Sequence, residues 1–251
     1  MNLELENKVV LITGGTGGIG GQIVADYLSE GAIVACLIRS EKKMQVLFNQ
    51  LKEARIPVEN LHSFECKLLD FEDVKRATNE VAVKLKGIHI LINCAGFAEE
   101  LPFAMLDVKD IDRMVDLNLK SPIYLSHAVL KTMYRQKEGC IINVSSISSI
   151  KKGRGITVYA AAKAGLEAFT RTLAIEVGRK NIRVNCIRPG VITTTMSGPL
   201  LDRSRKLIEG NTALGRPGNA AEISAAILFM SSNKTASYMT GESITIDGGL
   251  Y

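Results

Sequence analysis

No apolar stretch in these 251 residues approaches the roughly 18 needed to span a bilayer. The opening MNLELENK carries Glu4 and Glu6 and leads into only four apolar residues, Val9 to Ile12, so neither a membrane span nor a signal peptide is expected and a cytoplasmic location follows. Histidine is scarce: His62, His89 and His127 stand singly, and no cysteine pair has zinc-ligand spacing, so no metal site is expected. Cys36, Cys66, Cys94, Cys140 and Cys186 are odd in number, widely spaced and set in apolar contexts such as IVACLI and VNCI, which points to buried free thiols in a reducing compartment. Internal repeats, low-complexity tracts and interdomain linkers are also missing. Charge is nearly balanced, 31 − 26 = +5, too small an excess for a nucleic-acid-binding composition. With 46% hydrophobic and 23% charged residues, disordered, collagen-like and disulfide-scaffold classes drop out.

What is present is an alternation. Short β-branched runs at 8–13, 32–38, 61–66, 89–93, 140–146, 182–187 and 243–247 are separated by amphipathic stretches at 18–30, 41–54, 71–86, 118–136, 158–178 and 220–231. The runs are almost continuously apolar, as in strands covered on both faces, and each intervening stretch can carry a crossover helix. The pattern predicts one α/β domain over 1–251, a Rossmann-type doubly wound parallel sheet of about seven strands with helices on both faces. Segment 193–218, rich in Gly and Pro around a predicted short helix, is a candidate substrate lid.

The first strand ends in TGGTGGIG, where Gly14, Gly18 and Gly20 are spaced so that backbone amides at a helix start can approach a pyrophosphate; a flexible turn is the plainer alternative. Tyr159 and Lys163, four apart, project from one face of the helix predicted at 158–178. A phenol titrates near 10, and a neighbouring ammonium is expected to favour its ionised form. Alone, this pair reads more readily as a surface helix pair. Ser145, Ser146, Ser148 and Ser149 gather at the end of the fifth run, and residue type does not choose among them.

In order along the whole chain, TGxxxGIG, NCAG (93–96), Asn118 in DLNLKS, Ser146 in NVSS, YAAAK (159–163) and PG (189–190) resemble the short-chain dehydrogenase/reductase family. Its 3-oxoacyl-[acyl-carrier-protein] reductase branch is the nearest in look, through YAAAKAGLEAFTRTLAIEV, IRVNCIRPGVITTTM, ALGRPGNAAEI and TGESITIDGGL. The resemblance implies a catalytic set of Asn118, Ser146, Tyr159 and Lys163. Tyr159 would exchange the proton, Ser146 would bind the substrate oxygen, Lys163 would also hold the nicotinamide ribose, and Asn118 would support a water relay. It implies a cofactor site of Gly14, Thr16, Gly17, Gly18, Ile19, Gly20, Arg39, Leu68, Asn93, Ala95, Gly96, Tyr159, Lys163, Pro189, Gly190, Ile192 and Thr194, with Thr193 and Thr195 competing for the last place. Cys94 stands where the family has a second Asn.

In NAD-dependent members an acidic residue ends the second strand and repels a 2′-phosphate; here Ile38 stands there, followed by Arg39, which can bind phosphate bidentately. NADP(H) is therefore expected over NAD(H). Gly17, where many NADP-preferring members have a basic residue, and Lys67, where the family places an adenine-binding Asp, depart from the pattern. The expected reaction is NADPH-dependent reduction of a ketone to a secondary alcohol, on a 3-oxoacyl group carried by acyl carrier protein. The alternatives are oxidoreduction of a free sugar, steroid or xenobiotic, and a catalytically silent NADP-binding sensor. Apolar residues beyond one stripe on 118–136 (Ile123, Tyr124, Ala128) and 158–178 (Ala164, Ala168, Phe169) predict helix pairing in a homotetramer. Lys137, Arg171, Arg179 and Lys180, together with Lys151, Lys152 and Arg154, are expected around the substrate entrance as a docking surface for the acidic carrier; ordinary solvated helix-end cations are the alternative.

Overall fold

In the computed structural model residues 2–194 and 196–250 are described, with 199 and 201–204 described by their backbone alone; Thr195, a rival for the Thr194 position, lies outside the described residues. The strands are β1 (Val9–Thr13), β2 (Ile33–Ile38), β3 (Leu61–Glu65), β4 (Ile90–Asn93), β5 (Gly139–Val144), β6 (Ile182–Pro189) and β7 (Ser243–Ile246). The helices are α1 (Gly18–Ser29), α2 (Glu41–Glu53), α3 (Phe71–Lys84), α4 (Val108–Val115), α5 (Ser121–Gln136), α6 (Thr157–Val177), α7 (Gly198–Gly210), α8 (Ala220–Ser231) and α9 (Asn233–Ala236).

The strands form one sheet in the order β3-β2-β1-β4-β5-β6-β7, and every pairing is parallel, giving the expected doubly wound architecture. Because strand side chains alternate in direction, each run splits into two sets. Val10, Ile12, Val34, Cys36, Ile92 and Ile142 pack under α1, α2 and α8 with Ile23, Tyr27, Leu47 and Ile227. Val9, Leu11, Leu37, Leu91, Ile141 and Val184 face α3, α5 and α6 with Val81, Val129, Met133 and Leu173. Burial on both sides explains why these strands read as unbroken apolar runs.

The chain leaves β1 toward β2 on one side of the sheet and leaves β4 toward β5 on the other, so a crevice opens between the carboxyl ends of β1 and β4. It is tied across by Thr13, whose hydroxyl accepts from the amides of Cys94 and Ala95, both at 3.2 Å.

Two details differ from the sequence expectation. The helix expected to open at 118 is entered through α4 and a π-turn at Asp116–Lys120, so the helical path starts ten residues earlier, at Val108. Helix α4 buries only Met114, leaving little apolar pattern by which to detect it. Strand β5 stops at Val144: the Ser145 amide still donates to Ile187 O at 2.8 Å, but Ser146 caps a 3₁₀ turn over Ile147–Ser149.

Candidate active site

Helix α1 starts at the crevice with Gly17 as its N-cap and no acidic residue in its first turn. The amides of its first turn have no intrahelical acceptor, and the positive end of the helix dipole points with them. Two glycines make this approach possible. Gly14 has φ +71°, and a Cβ there would lie 2.8 Å from the Ala95 nitrogen; a Cβ on Gly20 would overlap the Gly14 carbonyl. Across the crevice, a Cβ on Gly18 would lie 2.8 Å from the Thr194 side chain, so the glycine loop and the segment after β6 meet face to face. Free amides and the dipole at the start of α1 make this an anion-binding end suited to a pyrophosphate.

At the far end of β2 and β3 a cleft of about 630 Å³ is lined by Ile38, Arg39, Cys66, Lys67, Asp70 and Arg76 among others. Arg39 and Lys67 share this cleft and are both exposed. Arg76, not anticipated from the sequence, is engaged by Asp73, by Glu80 and by the Glu65 carbonyl. Leu68 lies at the same edge, but its side chain is buried in the core beneath α3, which leaves only its backbone to meet a ligand.

Four sequence-predicted residues converge at the carboxyl ends of β4 and β5. Ser146 neighbours Tyr159 closely enough to favour the ionised phenol, while its hydroxyl is bonded to Ser148. Lys163 is 4% exposed; its Nζ donates to Val144 O at 2.7 Å and lies 5.7 Å from the Tyr159 ring centroid. Asn118, fully buried in the π-turn, donates from Nδ2 to Phe97 O (2.6 Å) and Met114 O (2.9 Å). A Cβ on Gly96 would lie 2.8 Å from Asn118 Oδ1 and 3.6 Å from Lys163 Nζ, which places Gly96 between the two. π-turns often mark functional positions because the slipped hydrogen-bond register releases a carbonyl.

The electrostatics correct one expectation. Desolvation pushes the Tyr159 phenol up and outweighs the lowering by Ser146, and burial holds Lys163 down at about 8. The expected lowering of Tyr159 by Lys163 is not seen: the ammonium is directed at the Val144 carbonyl, and desolvation dominates both groups. Cys94, half-buried beside the pair, is pushed up by burial to about 11, a protonated thiol at neutral pH.

The remaining positions frame the crevice. Asn93 donates to Asn143 Oδ1 at 2.8 Å, and Asn143 to Thr170 Oγ1 at 2.8 Å, linking β4, β5 and α6. Pro189 ends β6, and the Gly190 amide donates to Ile246 O at 2.9 Å. Ile192 bridges to Gly218, and Thr194 Oγ1 lies 3.2 Å from Ser197 Oγ. Thr16 and Gly17 lie in the loop before α1, and Ile19 lies in the first turn of that helix.

A family model described as short chain dehydrogenase matches residues 8–204. The chain belongs to the short-chain dehydrogenase family. The 3-oxoacyl-[acyl-carrier-protein] reductase FabG of Thermotoga maritima is 35% identical over 248 residues, 99% of each chain. The 3alpha-hydroxysteroid dehydrogenase of Mediterraneibacter gnavus is 34% identical over 248 residues, 99% of this chain and 98% of that one. The crystal structure of a short-chain type dehydrogenase/reductase from Mycobacterium marinum superposes with a TM-score of 0.89 at 29% identity, covering 98% of this chain and 96% of that one. As a short-chain dehydrogenase, the protein is an oxidoreductase of the class that uses NAD(P)(H).

Within this short-chain dehydrogenase one placement differs from the sequence reading. Lys151, Lys152 and Arg154 lie between Ser146 and Tyr159, at the crevice end of the sheet. Lys137 and Lys180 do not. The turns that carry them are joined by Asn181, which donates to Lys137 O at 3.1 Å, and they precede β5 and β6. The six residues of β5, about 20 Å of strand, separate Lys137 from Ser146. The expectation of one ring of cations around the entrance therefore fails within a single chain, because a parallel sheet sends helix C-termini to the strand starts and loops such as 145–156 to the strand ends.

Sequence reasoning also missed Glu167 and Arg188. Glu167 continues the 159, 163 series by one further helical turn, which was the only signal available. Its carboxylate accepts from Ser145 Oγ (2.8 Å) and Ser149 Oγ (2.5 Å), and from Arg188 Nε (2.8 Å) and Nη2 (2.7 Å). Burial alone would raise this carboxyl, but the bonds from Arg188, Ser149 and Ser145 hold it below the usual carboxylate range.

Proposed function

We propose that the protein reduces a ketone to a secondary alcohol with NADPH, and that its substrate is a 3-oxoacyl group on acyl carrier protein in the cytoplasm. The observation that carries the reading is the meeting of Ser146, Tyr159 and Lys163 beside Gly96, at the crevice where the α1 amides can hold a dinucleotide. The bound nicotinamide would supply or accept the hydride. Ser146 donates to the substrate oxygen and orients it. Tyr159, kept neutral at physiological pH by burial, gives its proton to that oxygen, as reduction requires of a general acid. Lys163 supports reprotonation of the phenol, with Asn118 holding the π-turn beside it. Arg39, exposed at the end of β2 without an acidic residue at Ile38, supports the preference for the 2′-phosphate, in a cleft where Lys67 and Arg76 stand among Glu65, Asp70, Glu72 and Asp73.

Residues 193–218, with α7, form the proposed lid within a single functional unit spanning 1–251. The relatedness to a steroid dehydrogenase favours a second reading, a free apolar ketone admitted beneath a lid segment that carries the exposed Leu207 and Leu214. Carrier docking through Lys137, Arg171, Arg179 and Lys180 requires a partner subunit: a two-fold axis pairing α5 and α6 runs like helices antiparallel and brings one protomer's strand-start cations toward its partner's crevice. NADPH consumption against acetoacetyl thioesters, ketosteroids and sugar ketones, with NADH in parallel, tests the reading. Turnover confined to steroids or sugars rejects the thioester assignment, and tighter NADH binding rejects NADP(H).

A further inference from the structure

We propose that the Glu167–Arg188 pair is a positioning device for the Ser146 hydroxyl, acting through Ser145 and Ser149; the role rests on the ketone-reductase reading above. Ser146 leaves β5 where the ladder ends, and its hydroxyl has competing local partners: Ser148 Oγ at 3.0 Å and the Ser148 amide at 3.2 Å. Its orientation toward Tyr159 is therefore not settled by its own contacts. The residues on either side are held instead. Ser145 and Ser149 both donate to Glu167 Oε1, and Ser149 Oγ also lies 2.7 Å from the Ser146 carbonyl. The serine proton serves one acceptor at a time, and the ionised carboxylate is the stronger one.

Glu167 is fixed in turn. Its side chain is 4% exposed and is gripped bidentately by Arg188, which reaches on to Ser243 O (3.1 Å) and Thr245 Oγ1 (3.4 Å). Arg188 immediately precedes Pro189 and Gly190, and Glu167 lies one helical turn beyond Lys163. The network thus refers the Ser146 turn to two bodies, the helix that carries Tyr159 and Lys163 and the strand end expected to meet the nicotinamide. Buried ion pairs are often replaceable by apolar residues without loss of stability, so stability alone gives little reason for placing this one behind a serine. Reaction rates fall about 100-fold for misplacements near 1 Å, which is the scale a loosened turn would produce.

The test compares Glu167→Gln, Glu167→Leu with Arg188→Leu, Ser146→Ala, and Ser146→Ala with Glu167→Gln, on the best ketone of the panel. Glu167→Gln is expected to lower kcat by about 10- to 100-fold with a smaller change in KM, and to lower it less than twofold further once Ser146 is alanine. An equal loss in both backgrounds overturns the proposal, since general damage to the fold multiplies. The double leucine variant is expected to melt near the wild type and stay slow; recovery of wild-type kcat overturns the proposal as well. Hydrogen exchange reads the clamp independently of activity: amides 145–149 should exchange faster in the double leucine variant while β5 keeps its protection, and unchanged exchange overturns it. A wild type that reduces none of the ketones defeats the functional reading alone, and the exchange result still decides whether Glu167 holds the turn.

Discussion

At Tyr159, which is half-buried, desolvation raises the phenol and its neighbour Ser146 lowers it; desolvation wins, so the proton stays on at neutral pH. Replacing Tyr159 by Phe removes that proton and little else. We expect kcat to fall by about 10² to 10⁴-fold while cofactor affinity and melting temperature hold, measured by steady-state kinetics, fluorescence titration and calorimetry. Near-normal turnover would exclude Tyr159 as the acid. Lys163 carries a different signature. Its folded value of about 8 lies below the 10.5 of an ordinary lysine, so the folded state binds this proton less tightly than the unfolded chain. Below pH 8 both states are protonated and the cost of burying the ammonium is fully present. Between pH 8 and about 10.5 the folded protein has released the proton first, and stability rises with pH. Lys163→Met should abolish turnover yet stabilise the cofactor-free protein at pH 7, by on the order of 3 kcal/mol at most. The melting-temperature gap between variant and wild type should narrow as pH rises from 8 to 10; a constant gap would mean the lysine is not buried as an ammonium.

The glycine loop acts as an element, because α1 reaches the end of β1 only without a side chain at Gly20, and the Gly14 turn sits against the Ala95 backbone. A Cβ at Gly20 meets the Gly14 carbonyl, a backbone atom that cannot move without shifting the turn. Gly20→Ala is expected to weaken cofactor binding by tenfold or more and to cost about 1–3 kcal/mol of stability, read by titration and thermal melts. Gly17→Ala is the milder contrast: its backbone is extended at φ −91°, ψ 174° and the residue is exposed, and a Cβ would stand 3.3 Å from the Gly14 carbonyl, so a smaller loss than at Gly20 is expected. The same loop geometry with normal cofactor affinity in Gly20→Ala would remove the α1 amides from the binding account. On the opposite face, α5 shows how an element's apolar breadth can mislead. Tyr124, part of the stripe assigned to a subunit contact, stacks against Phe71 of α3 at 5.1 Å within the same chain. Ala128, half-buried, packs against the chain's own core, and Ile123 is half-buried.

For the molecule as a whole, the direction of a parallel sheet separates its charges. Loop cations 151–154 sit with the crevice, and those at 137 and 179–180 sit at the other end. The carrier-docking proposal therefore stands or falls with assembly. Light scattering at micromolar concentration is expected to give a tetramer. Lys137→Glu with Lys180→Glu should raise KM for a carrier-bound ketoacyl substrate and leave a small uncharged ketoester unaffected, with the difference shrinking as salt increases. A monomer that still discriminates between the two substrates would move docking to Lys151, Lys152 and Arg154.

The sequence by itself determined the order of strands and crossover helices, since unbroken β-branched runs and amphipathic intervals follow directly from a sheet covered on both faces. It also determined the glycine loop and the Tyr159–Lys163 pair, because turn geometry and helical spacing are local properties. The helix α4 and the π-turn at Asn118 were not legible: α4 is short and buries one side chain, and a slipped helical register leaves no residue pattern. Only the tertiary structure decided that Ser146 meets Tyr159, that Glu167 meets Arg188 across 21 residues, and that the basic clusters lie at opposite ends of the sheet. These facts depend on which ends of which strands adjoin. The same holds for the protonation of Tyr159 and Lys163, where the neighbouring charge visible in the sequence was outweighed by a burial that no local pattern records.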